Sequence, residues 1–133
     1  MTILDHMQRM FIRDLKGVLM KKDISLFTFE IRNRDLVNSN QLCEKKDLPW
    51  EFFELGVNSI KAFNMFFRER VVQYGAQDID KYVHTLGLEF YDFEEMVKRN
   101  NGWNHTGFYW VKFENMGAKC FKELYEQEYP IYS

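Results

Sequence analysis

Between Pro49 and Tyr74 the apolar positions Trp50, Phe53, Val57, Ile60, Phe67, Val71 and Tyr74 recur at steps of three, four or seven. That is the period of an α-helix. Phe52, Phe63 and Phe66 add a second stripe, so from 60 to 67 the apolar surface covers more than one face. Such a helix is expected to be surrounded by others. Gly56 suits the left-handed position just past one helix, and Asn58 suits the N-cap of the next. The pattern predicts two consecutive helices, about 49–55 and 59–74, with the second at the centre of the fold.

The flanking chain reads mostly as further helices. Ile3, Leu4, Met7, Phe11, Leu15 and Val18 share one face of an amphipathic helix over 2–20, opposite Asp5, Gln8, Arg9 and Lys16. Over 24–39 the period does not decide: Phe27, Phe29 and Ile31 alternate like a strand, yet Ile24, Phe27 and Ile31 also fit one helical face. Residues 38–48 are polar and predict a loop ending at the Pro49 helix start. Asp78 can cap a short helix, 79–86, that stops at Gly87. Asp92 with Glu95 makes a start like a capping box for another, 93–99, ended by Asn100–Gly102. Residues 103–113 fit a strand or a short buried helix. Residues 116–129 fit a helix with Cys120, Phe121, Leu124 and Tyr125 inward. The expected architecture is all-α: one domain, 1–133, with seven or eight helices around the central one.

Composition narrows the function classes. At 133 residues the chain suits a single core burying about two-thirds of its unfolded surface. A net charge of -2, with acids and bases mixed throughout, suggests neither nucleic acid nor an anionic membrane as partner. Thirteen phenylalanines beside few alanines is the usage of AT-rich coding sequences, which many viruses have. Cys43 and Cys120 lack the spacing of a zinc site and suit reduced thiols. No signal peptide and no membrane-length apolar run is visible, so the expectation is a soluble cytoplasmic protein.

Candidate chemistry is sparse. His6, His84 and His105 stand apart without ligand spacing, and neither GxSxG nor a glycine-rich phosphate loop occurs. Glu94–Glu95 is explained as helix-start charge. Catalytic residues, metal ligands and cofactors are therefore not expected. Residues 79–98 have the outline of a helix-turn-helix, with Tyr82, Leu86, Gly87, Leu88, Phe93 and Met96 suitably placed. Glu89, Asp92, Glu94 and Glu95 would repel phosphates, leaving Lys98 and Arg99 to oppose them. A DNA-binding or transcription-modulating protein of a virus or phage is thus the second reading. An inhibitor using an acidic helical face on another host target is the third.

Two stretches carry a family resemblance. EFFELGVNSIKAFNMFF (51–67) resembles the first homology motif of the B-cell-lymphoma-two (Bcl-two) family of apoptosis regulators, E-L-F-x-x-G-x-N-W-G-R and an apolar helix. Gly56, Val57 and Asn58 match it, and Phe63, Phe66 and Phe67 match the continuation. VKRNNGWNHTGFYW (97–110) resembles the second motif, where N-G-G-W opens the last short helix; Asn100 or Asn101, Gly102 and Trp103 fit. The pair spans about 48–113 in the family's order. The resemblance implies a viral-type inhibitor of apoptosis that sequesters the amphipathic death-motif helix of pro-apoptotic proteins in an apolar groove. By motif position the groove would be lined by Leu48, Glu51, Phe52, Leu55, Asn58, Lys61 and Phe63, with Trp110 at one end. Phe27 and Ile31 are candidates for the opposite wall, without motif support. The family's Trp-Gly-Arg is Ser59-Ile60-Lys61 here, so the charge that meets the death-motif aspartate becomes a point donor. A C-terminal membrane anchor is not matched by YEQEYPIYS. Exposed aromatics leave a homodimer open.

Overall fold

A computed structural model describes residues 11–71, 76–104 and 107–126. It is a mixed α/β fold. Strands β1 (Leu15–Lys21), β2 (Ile24–Arg32) and β3 (Asp35–Gln41) precede helices α1 (Trp50–Leu55), α2 (Ile60–Arg68), α3 (Ile79–Thr85) and α4 (Phe93–Arg99). Strand β4 (Tyr109–Lys112) and helix α5 (Phe121–Glu126) follow. The four strands form one antiparallel sheet in the order β3-β2-β1-β4. The all-α bundle of seven to eight helices is therefore incorrect.

Two tight hairpins overturn it. Arg32 pairs with Asp35 across Asn33 and Arg34, both at positive φ, the conformation that a two-residue hairpin needs and asparagine tolerates. Lys21 pairs with Ile24 across Lys22 and Asp23. The register places Leu15 beside Ile31, Gly17 beside Phe29 and Leu19 beside both Phe27 and Val111. These residues form the inner face. A Cβ on Gly17 would lie 2.8 Å from a methyl of Val111, so only glycine lets β1 and β4 approach so closely.

The helix expected over 2–20 is replaced by strand from Leu15 onward; residues 2–10 lie outside the described part. What draws this segment out is side-chain bonding from two helices. Asn64 Oδ1 accepts from the Ile12 N–H at 3.0 Å, and Glu94 Oε1 accepts from the Arg13 and Asp14 N–H groups at 2.8 and 2.6 Å. In the undecided 24–39 stretch alternation wins: Phe27, Phe29 and Ile31 are buried and Ile24 is exposed. The expected loop at 38–48 begins as strand β3.

Helix α2 is central, but a sheet covers one of its sides. Phe63, Phe66 and Phe67 mesh with Phe52 of α1 and with Phe27 and Phe29 of β2, ring centroids 4.8–6.4 Å apart. Each such ring contributes about 1.5–3 kcal/mol by leaving water. Ser59, rather than Asn58, caps α2, its hydroxyl accepting from the Ala62 N–H at 3.2 Å. The helix ends at Arg68, short of the expected Tyr74; residues 72–75 lie outside the described part. Helices 79–86 and 93–99 form nearly as expected, and the Asp92 carboxylate caps α4.

Residues 103–113 resolve as the short strand β4. On the other sheet face Met20, Trp103, Trp110, Ala118 and Leu124 make a second, smaller core under α5. Within the helix expected over 116–129, residues 121–126 are helical; Leu124 points inward and Tyr125 outward.

Candidate functional site

The residues expected to line a groove divide into two sets. Leu48, Glu51, Phe52 and Phe63 are buried, as are Phe27 and Ile31 of the supposed opposite wall. The Phe27, Phe52 and Phe63 rings touch edge to face, so these residues fill a core and leave no cleft between them. Trp110 is buried in the second core and donates its indole N–H to the Lys22 carbonyl at 2.7 Å. Leu55, Asn58 and Lys61 are exposed around the α1–α2 turn, where the Ser39 hydroxyl donates to Asn58 Oδ1 at 2.5 Å. The G-V-N stretch thus forms a helix–helix turn. The N-G-W stretch ends α4 and leads into a strand.

The outer side of α1 is apolar. Trp50 is 54% exposed, Phe53 42% and Leu55 42%, and Lys45 lies 4.9 Å over the Phe53 ring. Trp50 and Phe53 are one helical turn apart and share a face. Leu42 and Val37, on and just beyond β3, are also more than half exposed. Singly such residues are ordinary; Trp50 and Phe53 together make a small apolar face that also carries exposed Glu54, while Leu55 lies at the end of the helix on the side of Glu51 and Phe52.

The sheet's two edges differ. On the β4 side, the Val111 N–H donates to the Asn101 carbonyl at 2.7 Å and the Asn101 amide donates back to the Val111 carbonyl at 3.0 Å. That edge is closed by the turn after α4. Beyond β3 no strand is paired among the described residues. It contains neither lysine nor proline, two of the usual edge protections.

Beneath α1 lies a cluster of ionisable groups. Glu51 is only 1% exposed and its Oε2 has no hydrogen-bond partner among the described residues. Arg70, just past α2, stacks 3.6 Å over the Phe66 ring, donates Nη1 to the Phe66 carbonyl at 3.0 Å and approaches Glu69 at 3.9 Å. Its Nε is likewise unpartnered. Burial pushes the Glu51 carboxyl up to about 7, helped by a hydrogen bond and like charge from Glu69 and opposed by its own backbone N–H and by Arg70. Burial brings Arg70 down to about 10. The Tyr109 hydroxyl and Cys43 thiol are raised too, chiefly by burial and then by Asp47. A raised thiol stays protonated, the opposite of what a nucleophilic cysteine requires. All four shifts run toward the uncharged form, as burial requires.

Helix α4 turns its charged groups toward partners within the chain, whereas Asp80, Lys81 and His84 of α3 are exposed. Glu94 holds the start of β1, Lys98 reaches Glu94 at 3.4 Å and Arg99 Nη1 donates to the Leu86 carbonyl at 2.9 Å. The two cations expected to oppose phosphate repulsion thus have partners within the chain. Among the described residues no group of three or more His, Cys, Asp or Glu side chains is placed to hold a metal, and no helix is long and apolar enough to cross a membrane.

No protein-family model, no curated protein and no solved structure matches this chain.

Sequence reading treated Trp50 and Phe53 as part of the core stripe and did not single out Glu69, Arg70 or Tyr109. A helical wheel of 50–55 holds a usable signal: Trp50 and Phe53 lie on the face away from Phe52. Nothing local joins Glu51 to Tyr109; the fold alone brings them together.

Proposed function

We propose that this protein is a binding module that captures an amphipathic helix of a partner protein on the outer face of α1. One observation carries the reading: a six-residue helix leaves Trp50 and Phe53 about half exposed on one face, and among the described residues no strand pairs beyond β3. Leaving large apolar side chains in solvent forgoes about 1.5–3 kcal/mol apiece, which a bound partner would recover in part. Lys45 and Lys61 are exposed nearby and can meet an acidic flank, while exposed Glu54 can meet a basic residue of the same amphipathic partner. The death-motif helix implied by the Bcl-two resemblance has that character, with its apolar anchors and aspartate. Inhibition of apoptosis is the specific form of this proposal. In it the ligand lies on the surface of α1, because the residues of the expected groove are core.

Calorimetric titration with a panel of death-motif peptides tests it. Binding that weakens about tenfold or more in Trp50→Ala and Phe53→Ala, and less in Lys61→Glu, is the expected result. Absence of binding across the panel removes the apoptosis form. Binding indifferent to both aromatic substitutions removes α1 as the docking face.

A further inference from the structure

The face of α1 opposite Trp50 and Phe53 is anchored by a carboxyl group. We infer that Glu51 is a proton-binding site that fastens α1 to the core when protonated and loosens it when ionised. The geometry behind this is the near-complete burial of Glu51 and its Oε2 without a partner among the described residues, and a second carboxyl, Glu69, acts on it as a like charge. Two neighbouring carboxyl groups in a poorly solvated site ionise less readily together than one does alone. An ionised Glu51 would place charge on an oxygen with no donor in a poorly solvated site, which is costly.

The surrounding groups decide the direction. From the end of α2 come Glu69 and Arg70, from the segment before α1 come Cys43 and Asp47, and from β4 comes Tyr109. Asp47 and Glu69 are acidic, and Glu69 disfavours a second negative charge. Arg70 is the one cation near Glu51 among the described residues, and its Nη1 is committed to the Phe66 carbonyl. Ionised Glu51 therefore gains by moving toward water or toward the Arg70 Nε, and either movement turns α1. Phe52 packs the helix against the core, but the helix has little strength of its own. It has six residues, Pro49 offers no side-chain cap, and Gly56 follows directly. The expected behaviour is an α1 held at mildly acidic pH and released as pH rises through neutrality. Its effect on partner capture rests on the reading of α1 as docking face; the proton site itself does not.

Amide exchange of Phe52, Phe53 and Gly56, whose N–H groups bond within or at the ends of α1, reads this out with no partner present. After correction for intrinsic rates, protection is expected to fall about tenfold or more from about pH 5 to about pH 9. Glu51→Gln should give a flat profile, and Glu69→Gln should move the midpoint downward by removing the like charge. A flat wild-type profile, or an unchanged slope in Glu51→Gln, overturns the inference. If Glu51→Gln does not fold, carbon-shift titration of the Glu51 carboxyl in the wild type decides instead. A midpoint near neutrality supports the site and one in the ordinary carboxylate range removes it. Intact pH-dependent protection together with no peptide binding would discard the docking reading and leave the proton site standing.

Discussion

Helices α1 and α2 are consecutive, separated only by the turn 56–59, and they distribute their side chains in opposite ways. Helix α2 turns Ala62, Phe63, Phe66 and Phe67 inward, and its one inward amide, Asn64, is bonded to Ile12. Every buried group there has a partner of its own kind. Helix α1 buries an acid with an unpaired oxygen and leaves Trp50 and Phe53 in water. The difference shows which helix is given wholly to the core and which carries the candidate site. One helix satisfies all the rules of a core, and its neighbour breaks two of them within six residues. Such local violations mark places where something other than folding is being served.

The contrast has measurable consequences. The largest falls in α2: Phe63→Ala removes a ring that meets Phe27, Phe29 and Phe52 and should cost about 3–5 kcal/mol in urea unfolding. The second belongs to Glu51. Its carboxyl is raised from 4.5 to about 7 in the fold, so the neutral form is the one the native state prefers. This contribution is complete below the unfolded value of 4.5, is lost as pH rises toward about 7, and is gone above that. Full linkage of that size amounts to at most about 3 kcal/mol. Chemical denaturation across that range measures it, and Glu51→Gln should flatten the curve. Next comes the cap: Ser59→Ala should cost about 1 kcal/mol, whereas Asn58→Ala should cost less than about half of that. The smallest effect on folding is also the most informative. Trp50→Ala and Phe53→Ala should shift stability by no more than about 0.5 kcal/mol while abolishing or weakening peptide capture. Were Trp50→Ala to destabilise as much as Phe63→Ala, the two helices would not differ as described.

Legibility in the sequence followed the range of the forces involved. Helices α1 to α4 were readable because their signals are local: Pro49 at one start, Gly56 and Gly87 at two ends, and the Asp92 cap three residues before Glu95. The sheet was not. Leu15 and Val18 fit one helical face, yet in the sheet they lie on opposite faces, since the partners that decide are Ile31 and Lys112. A sharper reading of Asn33-Arg34 as a two-residue hairpin turn would have recovered β2 and β3. At the site, Glu51 was named for its place in a motif, but its surroundings come from the end of α2 and from β4. The exposed aromatics were misplaced for a related reason. A stripe at helical spacing tells which residues share a face, and tertiary packing alone tells which face meets water.

The closed β4 edge has one more consequence. An antiparallel sheet with two free edges offers a template at both ends, so copies can add without limit and build a fibre. Here Asn101 occupies one end with both its carbonyl and its side-chain amide. Among the described residues, growth by strand addition is left with β3. Two such sheets meeting at β3 would leave outward only the edges at which Asn101 holds Val111, which disfavours a third copy by this route.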